Sequence, residues 1–89
     1  MLRLTRTALD SSEVVLKAEG QIVGDWVALL ESECRELLAT ERRVALDLSD
    51  VSYLDRHAVR VLRELTRDSL DLVKCPPLVE DLLTEDTFE

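Results

Sequence analysis

The side chains with the best type and spacing for chemistry gather around one turn. Asp55 is followed by Arg56 and by His57, the only histidine of the chain. An Asp just ahead of a helical repeat takes up orphan N–H groups of the first helical turn. A histidine can carry a proton, bind a metal or accept a phosphoryl group. Asp55 is two residues from His57, a spacing that does not share a helix face, and no second histidine completes a metal set. His57 therefore reads as an exposed first-turn residue. Ser49 and Ser52 lie just upstream as alcohols open to modification, although such serines more often satisfy turns and backbone groups.

The remaining candidates are weaker. Cys34 and Cys75 are the only cysteines, too few and too isolated for a disulfide framework or a metal site. Neither stands at a spacing that suggests a nucleophile–base pair, so both read as reduced, structural thiols. Gly20 and Gly24 are the only glycines, which excludes a Gly-rich phosphate loop. The sequence thus points away from an enzyme, with no catalytic residue, no cofactor and no metal.

One charge pattern stands above composition. Arg56, Arg60, Arg63 and Arg67 recur at spacings of four, three and four, so they form one stripe along a helix. They are four of only 11 basic residues in a chain of net charge −8. A solvated face gives such a stripe, with Arg67 suiting the negative end of the helix dipole. The sharper reading is a docking stripe for an acidic partner. Glu80, Asp81, Glu85 and Asp86 of a second copy offer the same charge, and a homodimer follows from that variant.

The elements that position these residues read from periodicity. Leu2 and Leu4 alternate with polar residues up to Thr7, giving a half-exposed strand. Asp10-Ser11-Ser12 forms a turn. Val14, Leu16 and Ala18 give a second strand, antiparallel to the first and closed by Gly20. Gly24 or Asp25 caps a helix whose apolar stripe is Trp26, Val27, Leu30, Cys34, Leu37 and Leu38, with Glu31 and Arg35 as an i,i+4 pair. Residues 40–43 link it to a central strand in which Val44, Leu46 and Leu48 alternate. A loop then carries Val51 and Leu54 back to the core. Ala58, Val61, Leu62 and Leu65 recur at helical spacing behind Asp55. Asp68-Ser69 breaks that helix, Leu70 and Leu72 open a fourth strand ending at Cys75, and Pro76 and Pro77 stop it. Pro77 starts a last helix with Leu78, Val79, Leu82 and Leu83 on its apolar face, and residues 84–89 read as a frayed acidic tail. The fold class is α/β, a single domain over residues 1–89 in the order ββαβαβα, with a small mixed sheet of about four strands.

The run from Val44 to Leu48, with Val51, Tyr53-Leu54-Asp55 and Val61-Leu62, resembles the signature of the STAS family, the sulfate transporter and anti-sigma factor antagonist domains. The resemblance spans essentially the whole chain and implies a STAS-like fold with the family's last βα unit absent. An uncovered sheet edge then invites a partner or a second copy. It also implies a protein-interaction module whose partner is an anti-sigma factor or its kinase, or alternatively an ATPase subunit of a lipid-transport complex. In the family a serine in the turn after the central strand is phosphorylated. Aligned from Asp55, that position is His57, flanked by Arg56 and Ala58, so the usual acceptor hydroxyl is missing. By the same resemblance Asp55, Arg56, His57, Arg60, Arg63 and Arg67 border the partner surface.

Bulk properties narrow the classes further. At 89 residues and 46% hydrophobic content the chain suits one small globular domain. The net charge argues against a nucleic-acid binder, which needs clustered cations for phosphate contacts, and against docking on anionic membranes. No apolar run approaches a membrane span or the core of a signal peptide. A cytoplasmic, bacterial-type protein is the expectation.

Overall fold

In the computed structural model β1 (Leu2–Ala8) and β2 (Glu13–Ile22) form a hairpin, and α1 (Asp25–Thr40) leads to β3 (Arg43–Leu54). From there α2 (Arg56–Arg67) leads to β4 (Leu70–Val73) and α3 (Pro77–Glu85) follows. The structure describes residues 2–9, 13–41 and 43–85. The turn expected at Asp10-Ser11-Ser12 and the last four residues of the expected tail lie outside them. The sheet order is β1-β2-β3-β4. β1 runs antiparallel to β2, while β2–β3 and β3–β4 are parallel. Parallel neighbours need a crossover, and α1 and α2 supply the two. The α/β class and the order ββαβαβα are those read from the sequence.

The core is aliphatic. Leu16, Ala18 and Ile22 of β2 and Val44, Leu46 and Leu48 of β3 are buried beneath Val27, Leu30, Cys34 and Leu37 of α1 and Ala58, Val61, Leu62 and Leu65 of α2. Each fully buried Leu or Val contributes about 1.5–3 kcal/mol relative to exposure. Cys34 is one of these residues, and burial pushes its thiol up to about 12, so it is a neutral packing group. α3 packs against β3 and α2, burying Val79.

Several local expectations are corrected. β2 does not close at Gly20 but continues to Ile22. The stretch read as a loop after Leu48 is still strand, as β3 runs unbroken to Leu54. Both corrections share one cause. Between Lys17 and Glu19, and again between Gly20 and Gln21, β3 carries one residue more than β2. Each extra residue is a bulge that bends the ladder without ending it, and Gly20 supplies a φ of 106° there. The bulges turn the alternation of Val44, Leu46 and Leu48 into the three-residue steps Leu48, Val51, Leu54.

Trp26 does not join the apolar stripe of α1; it is 38% exposed. Val27, Leu30, Cys34 and Leu37 form the buried stripe; on the helical wheel Trp26 lies at its edge, about 20° from Leu37, but as the second residue of α1 it stands at the end of the helix, where its ring stays partly outside. Leu78 is likewise 54% exposed, outside the face that Val79, Leu82 and Leu83 present to the core. β4 ends at Val73, so Cys75 lies beyond the strand, partly buried. Pro77 does open α3, which continues to Glu85, two residues into the stretch read as tail.

Candidate functional site

Asp55 stands where β3 ends and α2 begins, and its carboxylate joins two helix starts. One oxygen accepts from the N–H of Ala58 at 2.8 Å, the N-cap bond of α2. The other accepts from the N–H of Gly24 at 2.8 Å, at the start of α1. The N–H of Asp55 donates to the carbonyl of Ile22 at 3.2 Å, fastening the end of β3 to the end of β2. A carboxylate placed at two helix N-termini is favoured by both dipoles. Gly24, the N-cap of α1, has φ 56° and no side-chain cap of its own.

The turn that follows is packed inside and charged outside. Ala58 is fully buried, whereas Arg56, His57, Arg60 and Arg67 are exposed and Arg63 is half-buried. Arg63 interacts within the fold. Arg56, Arg60 and Arg67 have no ion-pair or hydrogen-bond partner among the described residues. Several cations elsewhere are engaged. Arg35 reaches Glu31 and Asp68 at 3.1 Å each, Arg6 reaches Glu33 at 2.6 Å, and Lys17 reaches Asp50 at 2.9 Å. The Arg35–Asp68 pair ties α1 to the C-cap of α2, the helix that carries the stripe.

Upstream, the two serines serve the backbone. The Ser49 N–H donates to Asp47 Oδ1 at 2.9 Å, and the Ser52 hydroxyl donates to the Gly20 carbonyl at 3.3 Å across the bulge. Asp47 is only 8% exposed. Burial pushes its carboxyl up, but the hydrogen bonds from Ser49, with Lys74 and Lys17 nearby, outweigh burial and hold it below the usual carboxylate range.

Sequence reasoning located Asp55 as a cap and the arginine stripe, and it missed the second bond to Gly24. It placed Trp26 on the apolar stripe and assigned Tyr53 to neither side, whereas both, 38% and 44% exposed, lie on the surface. Each stands two residues from the Gly24–Asp55 bond. A cleft of about 370 Å³ between β1 and α1, lined by Leu4, Arg6, Leu16, Leu29 and Glu33, shares none of these residues. Among the described residues no three acidic, histidine or cysteine side chains converge as metal ligands. No helix among them is long and apolar enough to cross a membrane.

Comparison with known proteins agrees with this fold. Residues 5–85 match the family model described as Mlab, STAS domain. The chain is similar to the anti-sigma factor antagonist SpoIIAA in its unphosphorylated form, with 11% identity and a TM-score of 0.73, over 92% of this chain and 82% of that one. It is similar to an anti-sigma factor antagonist from Mycobacterium paratuberculosis, with 15% identity and a TM-score of 0.78, over 97% and 78% of the two chains. It is also similar to the phosphorylated form of the Bacillus cell fate determinant SpoIIAA, with 10% identity and a TM-score of 0.74, over 96% and 84%. No curated protein matches. At these identities the structures speak for a shared fold, while the family match covers nearly the whole sequence. The chain belongs to the STAS domain family.

Proposed function

We propose that this chain is a non-enzymatic protein-interaction module that docks through the N-terminal half of α2. In the manner of an anti-sigma factor antagonist it binds an anti-sigma factor or a related regulator in the bacterial cytoplasm. The observation that carries this reading is the pair Arg56 and Arg60, exposed and without an ion-pair partner among the described residues of a strongly acidic chain. They project from a turn that Asp55 caps and ties to the start of α1. Free cations on a fixed scaffold are ready for an acidic partner without rearrangement. Asp55 positions the turn, Arg56, His57 and Arg60 form the contact surface, and Arg63 and Arg67 extend it along the helix.

Binding is constitutive with respect to this turn. Arg56, His57 and Ala58 hold no hydroxyl, so serine phosphorylation cannot add repulsive charge there.

A second reading keeps the surface and changes the partner to an ATPase subunit of a lipid-transport complex. The missing acceptor hydroxyl and the family description favour it, since such a partner requires no kinase switch. The test is affinity purification of the tagged chain from its own host, beside the Arg56→Glu/Arg60→Glu variant. A regulator or an ATPase recovered with the native chain and lost with the variant supports the surface, and its identity separates the readings. Equal recovery with both chains contradicts it.

A further inference from the structure

The two described aromatic side chains are both on the surface, although the core is built without any aromatic ring. Burying Trp or Tyr is among the larger apolar gains open to a small domain. Here Trp26 and Tyr53 are instead held out at the same end of the sheet, where β2 and β3 finish. The Asp55–Gly24 hydrogen bond brings their backbones together. With each aromatic two residues from that bond, chain geometry keeps their Cα atoms within roughly 23 Å. A standard interface patch of about 800 Å² per partner is about 30 Å across, wide enough to take in both rings and Arg56. Trp, Tyr and Arg are the residue types that most often carry interface energy.

We infer that Trp26 and Tyr53 are the apolar anchors of the docking surface, flanking the Asp55–Gly24 bridge, and that the partner is a different protein presenting apolar pockets ringed by acidic groups. The inference rests on the reading of Arg56 and Arg60 as a contact surface and adds the first turn of α1 and the end of β3 to it. Charge complementarity selects the partner's chemistry. Arg56 and Arg60 have no counterion among the described residues, so acidic groups on the partner complete them. A second copy is a poor occupant of this patch. A two-fold interface sets the same patch against itself and so brings arginines towards arginines.

Trp26 is the only tryptophan of the chain, so its fluorescence reports on this surface directly. The probe is the protein that co-purifies with the native chain from its host, isolated and titrated against the native chain, Trp26→Ala, Tyr53→Ala, the conservative Trp26→Phe and Arg56→Glu/Arg60→Glu. Because both rings are exposed, the variants should melt within a few degrees of the native chain, which separates lost binding from lost folding. The expected result is a shift of Trp26 emission on binding and a loss of about 30-fold or more in affinity for each alanine variant. Trp26→Phe should recover part of that loss. Affinities within about threefold of native for both alanine variants, or an emission spectrum unmoved by saturating partner, overturn the inference. If the arginine variant alone loses binding, the docking reading stands and the aromatic anchors fall. If the aromatic variants alone lose it, the arginine reading falls. If no protein co-purifies through this surface, both fall.

Discussion

The carboxylate of Asp55 accepts from the N–H of Gly24, 31 residues earlier in the chain, at 2.8 Å, while its other oxygen caps α2. One side chain thus fixes the starts of both helices relative to the ends of two parallel strands. Replacing Asp55 by Ala removes both bonds. An N-cap costs about 0.5–2 kcal/mol to lose, and a hydrogen bond to a charged group about 1.5–3 kcal/mol. Discounting for partial exposure, Asp55→Ala should destabilise by about 2–3 kcal/mol. Asp55→Asn keeps one oxygen acceptor and should fall between alanine and native. Urea unfolding measures the series; an alanine variant within about 0.5 kcal/mol of native would show that the bridge contributes little.

Gly24 carries a second consequence of the same bridge. Its φ of 56° is a conformation that residues with a Cβ adopt only under strain, although an added Cβ meets nothing within 4 Å. Gly24→Ala should therefore cost about 1–3 kcal/mol through backbone strain alone, without a change in core packing. Thermal unfolding checks this, and an alanine variant as stable as native would contradict it.

Acid stability should depend on Asp47. Its folded pKa lies below the unfolded value, so ionised Asp47 favours the folded state. That contribution is fully present above the unfolded carboxylate range and is lost as pH falls through the folded value. Asp47→Asn should thus be less stable than native at neutral pH, with the gap closing as the solution is acidified. Unfolding free energies across pH 2–7 test it; a gap that stays constant, or widens in acid, points to another cause.

The two cysteines should differ in reactivity. Cys34 is fully buried with its thiol pushed up to about 12, while Cys75 is partly exposed and raised less by its burial. Thiolate is the reactive form. A thiol reagent should modify Cys75 in the native protein and reach Cys34 only at the rate of global opening. Mass spectrometry of the modified chain decides; equal rates at the two sites would contradict the buried position of Cys34.

How much of this was legible in the sequence depends on which residues kept a regular period. Val44, Leu46 and Leu48 alternate cleanly, and Ala58, Leu62 and Leu65 keep helical spacing, so β3, α2 and their order could be read directly. The two bulges broke that period and made the end of β3 look like a loop. A three-residue step between Leu48, Val51 and Leu54 carries no strand signature of its own. Trp26 was misplaced because hydrophobicity does not say on which side of a stripe's edge a residue falls. Asp55 was visible as a cap because capping is local; its bond to Gly24 joins residues 31 apart and has no local signal. The spacing of Arg56, Arg60, Arg63 and Arg67 revealed the stripe, but not that Arg63 is engaged within the fold.

The central claim is that the protein docks through the start of α2 and the bridge beside it. The most direct measurement is amide hydrogen exchange of the native chain, free and bound to its isolated partner. The account predicts added protection concentrated at residues 24–29 and 53–60, weakening as salt is raised because the contact is charged. Protection confined to β4, α3 or the β1 edge, with the start of α2 unchanged, would contradict it.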